Sequence, residues 1–313
     1  MRIVLVGPGA LGCLLASLLA KAESANHECI LLDHNEARAA ALNARGISYT
    51  WQDRQVLVRL PVVSSPAAVG HADLVILCVK SYDVATSLHF CRPLLHEHTL
   101  VLFLQNGISH LTLADQVGEA TAAFGTTTEG ANIRGEGQVR HGGRGLTQLG
   151  FLGPVHPEAQ LRLEQTAAIF NASELKTRIT DDILSRLWTK LMVNVGINGL
   201  TAILDCPNGD LLTRPGIRDR MAALVTEAMT VAAAMAIYVP ADSLEITCDV
   251  CRKTANNISS MLQDIRAGRR TEIDAINGAV VAAAQKFSLA VPANQTLLHE
   301  IKTIEGKPFN SPS

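Results

Sequence analysis

The chain has 313 residues, enough for two domains on a prior of about 150 residues each and for a substantial buried core. Its 27 basic and 29 acidic residues nearly cancel, and no basic block or aromatic-interleaved stripe is present, which excludes nucleic acid as an expected partner. Hydrophobic residues make up 48% but aromatics only 4%, so the core is expected to be aliphatic, in a globular protein without a membrane partner.

The chain opens on an apolar run, Ile3 to Val6, that leads into Gly7-x-Gly9-x-x-Gly12 and then a helix-forming segment, Leu14 to Ala20. In such a strand–turn–helix the first glycine permits the tight turn, the second lets backbone approach a pyrophosphate, and the third lets helix and strand pack closely. The helix N-terminus adds unpaired N–H groups and a positive dipole end. A second short strand, Glu28 to Leu32, ends in Asp33, about twenty residues past the last glycine, where a carboxylate accepts hydrogen bonds from an adenosine ribose. That placement disfavours a 2′-phosphate and points to NADH. Further strand-like runs at Val56 to Val62, Leu74 to Val79 and Leu100 to Leu104 alternate with helix-forming segments, as in a parallel doubly wound sheet. Lys80 and Asn106 follow two of these strands at the carboxyl edge, where ligands bind in such sheets. From Ala123 to Gly153 the Thr- and Gly-rich pattern predicts antiparallel strands or a hairpin extending the sheet, then a helix over Glu158 to Phe170. A boundary is expected near residue 180, dividing the chain into residues 1–180 and 181–313.

The second part reads as almost wholly helical. Lys190, Asn194 and Asn198 recur at i, i+4 and i+8, which puts a cation and two amides on one helix face among apolar neighbours. A stripe of that kind suits a lined cleft as well as a solvated face. Cys206-Pro-Asn-Gly-Asp210 is a turn, and the alanine-rich run Met221 to Val239 reads as a buried helix with Glu227 in a structural role. Asn256 to Ile265 looks helical, and a new helix is expected at Thr271, with Thr271-x-x-Asp274 as a variant capping box and Glu272 in the first turn. Residues 307–313 are expected to be loose. The seven cysteines are odd in number and scattered, which argues against a disulfide framework and for a cytoplasmic setting. The chain begins in a strand pattern without the regions of a secretory signal, which agrees. Cys248-x-x-Cys251 has no second pair and lies in helix-like sequence, and His96-Glu97-His98 lies in a polar turn, so no metal is expected.

Taken together, Trp188-x-Lys190-Leu-Met-x-Asn194-x-x-Ile-Asn198, Cys206-Pro-Asn-Gly209, Ser259-Ser-Met-Leu-Gln-Asp264 and Thr271-Glu-Ile-Asp274 resemble the ketopantoate reductase family. The likeness spans the chain, including the Gly-x-Gly-Ala-Leu-Gly turn, Asn106-Gly107, Gly125-Thr-Thr-Thr128 and Val291-Pro-x-Asn294. It implies an α/β fold: an N-terminal Rossmann dinucleotide-binding domain, then an all-helical domain like that of 6-phosphogluconate dehydrogenase, with the active site in the cleft between them. It implies NAD(P)H-dependent reduction of 2-dehydropantoate to pantoate, on the way to pantothenate and coenzyme A. By motif, Lys190 is similar to the family's proton donor and Glu272 to its acidic residue at the substrate hydroxyl. Asn194, Asn198, Asn208 and Ser260 resemble substrate contacts. Gly7, Gly9, Ala10, Leu11, Gly12, Lys80, Asn106 and Ala131 resemble cofactor contacts.

The residue types suit that chemistry, because hydride transfer to a ketone develops negative charge on oxygen that an ammonium can stabilise and then protonate. Partial burial would bring the Lys190 pKa toward working pH. One departure concerns the coenzyme: NADPH-using relatives commonly carry an arginine at the end of the second strand, and this chain has Asp33, with His34 and Arg38 nearby. The expectation is a preference for NADH, with NADPH as the family's usual coenzyme. Two other readings stand beside ketopantoate reduction: reduction of another small branched 2-oxo acid, and a non-catalytic dinucleotide sensor. The alanine-rich helical part leaves a homodimer open.

Overall fold

The computed structural model describes residues 1–22 and 27–305, so the tail expected to be loose, residues 307–313, lies outside them. The chain splits into two compact units, Met1–Gln105 with His110–Ile183, and Asn106–Ser109 with Leu184–Ser313.

The first unit runs β1 (Arg2–Val6), α1 (Ala10–Lys21), β2 (Glu28–Leu32), α2 (Glu36–Arg45), β3 (Ile47–Trp51), β4 (Arg54–Val58), β5 (Val62–Val63), β6 (Leu74–Leu77), α3 (Val84–Cys91), β7 (Leu100–Phe103), β8 (Thr121–Thr127), β9 (Gly130–Gly135), β10 (Gln138–Gly143), β11 (Thr147–Gly150), α4 (Pro157–Ala172) and β12 (Thr177–Ile179). Its main sheet has eight strands in the order β12-β11-β8-β7-β6-β1-β2-β5. The run β5-β2-β1-β6-β7-β8 is parallel throughout. This is the doubly wound order, and the direction of winding reverses between β1 and β6. The central strands β6 and β7 are buried along their whole length, which is why they read as unbroken apolar runs. Strand β11 adds antiparallel to β8, and β12 adds parallel to β11.

Two sequence expectations need correction here. The run Val56 to Val62 is not one strand of the parallel sheet, because its first half lies in β4 and only its last residue in β5. Strands β4, β3, β10 and β9 form a separate four-stranded sheet, so the β9–β10 hairpin does not extend the main sheet, and of that region β8, parallel to β7, and β11, antiparallel to β8, do. The second sheet exists because α1 is apolar on every side: residues 12–19 are all buried. Leu15, Leu18 and Leu19 share one core with Ile3 and Leu5 of β1 and with Tyr49 of β3 and Val139 of β10.

The second unit is helical: α5 (Ile183–Leu204, whose first residue groups with the first unit), α6 (Ile217–Ala234), α7 (Ser243–Lys253), α8 (Ser260–Arg266), α9 (Asn277–Lys286) and α10 (Pro292–Ile304). By length and composition α5 could cross a membrane, but 67% of its most apolar window is buried inside the protein. Trp188, fully buried, anchors it, and emptying such a site typically costs about 3–5 kcal/mol. Glu227 of α6 accepts from the backbone N–H groups of Ala293 and Asn294 at 2.8 and 2.9 Å and from Asn294 Nδ2 at 2.8 Å. It therefore neutralises the α10 N-terminus.

Two helix starts also differ from expectation. Helix α8 begins only after Ser259, whose hydroxyl accepts from Leu262 N at 3.1 Å, so residues 256–258 precede it as irregular chain. No helix starts at Thr271: residues 271–276 are irregular and α9 begins at Asn277. The Thr271 hydroxyl donates to Glu305 Oε1 at 2.5 Å and accepts from Ile273 N at 3.2 Å, a local turn that competes with helical geometry. Glu272 is therefore not a first-turn residue, and helix-dipole stabilisation does not explain it.

Candidate active site

The glycine turn meets the physical requirements of a phosphate cradle. Gly7 has φ +97°, and its N–H donates to Leu32 O at 2.9 Å. A Cβ at Gly12 would lie 2.0 Å from Gly7 O, so that position admits glycine alone, whereas at Gly9 the nearest heavy atom would be Cys78 O at 3.9 Å. Backbone at Gly9 is thus open to a ligand. No side chain caps α1, and its first turn holds no acidic residue. The N-terminal backbone at Ala10, Leu11 and Gly12 can therefore hold a pyrophosphate.

Asp33 follows β2 as expected, but its fully buried carboxylate is already engaged. Arg38 of α2 donates Nε to Oδ2 at 2.5 Å and Nη2 to Oδ1 at 2.7 Å, and Asn35 N donates to Oδ1 at 3.1 Å. This side-on fork pushes the Arg38 pKa up and leaves the pair formally neutral. The His34 ring nitrogen lies 3.7 Å from Oδ1 with its side chain 78% exposed. Lys80 is half-buried just past β6, and Ala131 is half-buried on β9 of the second sheet, opposite His141.

Asn106 belongs with the helical unit. Its Oδ1 accepts from Lys190 Nζ at 3.0 Å, and its Nδ2 donates to Glu272 Oε2 at 3.2 Å. The amide orientation is dictated chemically, because an ammonium only donates and a carboxylate only accepts. Burial brings the Lys190 pKa down from 10.5 to about 8, opposed by the nearby Glu272 carboxylate. Glu272 is itself buried. The segment carrying Asn106 docks beside the one carrying Glu272: Ile108 N donates to Ala275 O at 3.1 Å, and a Cβ at Gly107 (φ +76°) would lie 2.0 Å from that same oxygen.

Asn194 and Asn198 follow Lys190 along α5 and are half-buried and buried. Asn194 Nδ2 and Asn208 Oδ1 are buried without a hydrogen-bond partner among the described residues. Such orphans in a polar setting invite a polar ligand. Asn208 Nδ2 donates to Thr254 Oγ1 at 2.9 Å, and exposed Ser260 opens α8, where Thr201 of α5 holds the preceding Ser259 at 2.7 Å. The structure thus joins Lys190, Asn106 and Glu272 directly. Asn208 and Ser260 make no hydrogen bond to that chain among the described residues. Thr201, Thr254 and Glu305 were not singled out in the sequence, and nor was the link between Asn106 and the two charged groups. The clue to that link was Gly107, since an Asn-Gly pair signals a tight turn. No group of three or more His, Cys, Asp and Glu side chains that could hold a metal occurs among the described residues.

Two family models cover the chain: "Ketopantoate reductase PanE/ApbA" over residues 3–154 and "Ketopantoate reductase PanE/ApbA C terminal" over residues 182–305. The chain belongs to the ketopantoate reductase family. It is 37% identical to the 2-dehydropantoate 2-reductase of Halobacterium salinarum, over 95% of this chain and 96% of that one. Among solved structures it resembles a PanE/ApbA family ketopantoate reductase from Ralstonia eutropha, with TM-score 0.88 and 32% identity over 98% and 99% of the two chains. It also resembles D-mandelate dehydrogenase solved with NADH and anilino(oxo)acetate, with TM-score 0.89 and 28% identity over 97% and 98%. As a ketopantoate reductase family member it is an oxidoreductase that takes a nicotinamide dinucleotide and a small keto acid.

Proposed function

We propose that this protein is a cytoplasmic 2-dehydropantoate 2-reductase, with Lys190 as the proton donor at the C2 ketone. The observation that carries the reading is the hydrogen-bonded chain Lys190–Asn106–Glu272, with the lysine pKa brought to about 8. A bound dihydronicotinamide supplies the hydride. As negative charge grows on the ketone oxygen, the Lys190 ammonium stabilises it and transfers its proton, and the amine is reprotonated from solvent. Asn106 holds the ammonium in place through Oδ1. Glu272 keeps Lys190 protonated enough to act at neutral pH and accepts from the substrate hydroxyl. Asn194, Asn198, Asn208 and Ser260 supply neutral polar contacts for the rest of the substrate, and the orphaned Asn194 and Asn208 atoms support that role. In the first unit the glycine turn, with Lys80 and Ala131, serves the dinucleotide.

For the coenzyme, NADH is preferred. Both Nε and Nη2 of Arg38 are committed to Asp33, so the end of β2 offers a 2′-phosphate no uncommitted arginine fork. The resemblance to a dehydrogenase solved with NADH supports this. Steady-state oxidation of NADH and NADPH with ketopantoate, beside a panel of other 2-oxo acids, tests substrate and coenzyme together. Turnover of ketopantoate with the higher kcat/KM for NADH is expected. Turnover of another 2-oxo acid alone would move the substrate assignment, and a large NADPH advantage would overturn the coenzyme assignment.

A further inference from the structure

We propose that Glu305, at the end of α10, is a positioning residue for Glu272. The inference rests on the catalytic reading of Glu272 given above. Residues 271–276 have no helix or strand to set their backbone, yet they carry the carboxylate that Asn106 and Lys190 depend on. Turn hydrogen bonds to Glu272 O from Ala275 N at 3.0 Å and Ile276 N at 3.1 Å shape the segment, and contacts from outside it set its place. Glu305 Oε1 accepts from Thr271 N at 2.9 Å and from Thr271 Oγ1 at 2.5 Å, which holds the residue immediately before Glu272 by two bonds to one oxygen. Lys302, one turn earlier on α10, bridges Glu305 at 3.2 Å and Asp274 at 2.5 Å, two residues after Glu272. The segment is thus pinned on both sides of Glu272 to the last turn of α10.

The clamp is built to persist. The Glu305 side chain is only 13% exposed, so its bonds to Thr271 are shielded from competing water, whereas Lys302 and Asp274 are 37% and 47% exposed. Exposed ion pairs of that kind contribute little, so the holding force is assigned to Glu305 and Thr271. The reach of the clamp extends to the rest of the cluster: Ala275 O accepts from Ile108 N at 3.1 Å, so the register of 271–276 also sets where Asn106 stands. A shift of about 1 Å at a catalytic group can lower turnover by about 10²-fold, so the two bonds from Thr271 to Glu305 bear directly on where Glu272 stands.

The test compares Glu305→Ala, Glu305→Gln and Thr271→Val in the full chain, well below each variant's Tm. The readouts are ketopantoate kinetics, pantoate binding by calorimetry and coenzyme binding by fluorescence. Glu305→Ala and Thr271→Val are expected to lower kcat/KM for ketopantoate about tenfold and to weaken pantoate binding, with coenzyme affinity unchanged. The double variant should lose little more than either single one, because both remove the same contact. Glu305→Gln keeps the accepting oxygen and should retain most activity. A merely structural role would lower Tm in Glu305→Ala and leave kcat, KM and pantoate affinity unchanged, and that result overturns the proposal. If the wild type reduces ketopantoate and Glu272→Gln is impaired while Glu305→Ala is normal, the clamp fails and the proposed function stands. If the wild type neither binds pantoate nor reduces ketopantoate, both fall.

Discussion

The glycine turn of the first unit and the polar cluster of the second are built on opposite principles. The turn is made by removing side chains: Gly12 is glycine because a Cβ would strike Gly7 O at 2.0 Å, and the ligand-facing groups are backbone. Its parts lie within six consecutive residues, and a Cβ would clash at Gly7 and Gly12 though not at Gly9. The cluster is made by adding side chains from distant segments, with Lys190 and Asn106 separated by 84 positions and Asn106 and Glu272 by 166. On the proposed function, the first kind of site binds the coenzyme and the second carries out the chemistry with it. They should therefore fail independently when damaged.

Breaking the second site alone should give the largest effect. Lys190→Ala removes the proposed donor, and kcat should fall about 10³-fold while fluorescence titration shows unchanged coenzyme binding. Glu272→Gln keeps the hydrogen-bonded shape but removes the charge that opposes desolvation of Lys190, and kcat/KM for ketopantoate should drop about 10²-fold. Breaking the first site reverses the pattern. Gly12→Ala overpacks the turn by about 1–3 kcal/mol, so coenzyme binding should weaken measurably while calorimetry shows pantoate still bound. The comparison is sharpened by Asp33→Ser, which releases the Arg38 fork. The ratio of kcat/KM for NADPH to that for NADH should rise about tenfold, with ketopantoate KM unchanged.

The same contrast explains what the sequence made legible. The β1 turn, α1 and Asp33 could be read because their geometry is local: an apolar run, glycine spacing and a strand end. The partner of Asp33 could not be ranked, since Arg38 and His34 are both close in sequence and only the fold shows that Arg38 takes both oxygens. Strand β3 was missed, and β4 and the β9–β10 hairpin went to the wrong sheet, because these short, largely polar or exposed strands carry no local mark of which sheet they join. At Thr271 a local capping pattern lost to a carboxylate 34 residues away. Lys190 was legible as one cation on an apolar helix face, but its bond to Asn106 needed the chain to fold back between Phe103 and Ser109. Motif likeness supplied the names of these residues; their mutual contact is a property of the fold.

The most direct test is the pH dependence of kcat/KM for ketopantoate reduction at fixed coenzyme. As the proposed proton donor Lys190 would act in its protonated form, and its pKa is depressed from 10.5 to about 8, so activity should be level below that pH and fall about tenfold per pH unit above it. Lys190→Arg, whose guanidinium stays charged, should abolish that limb along with most of the rate. A wild-type profile that stays level up to pH about 10, or a limb that survives in the arginine variant, would contradict the assignment of Lys190 as the proton donor.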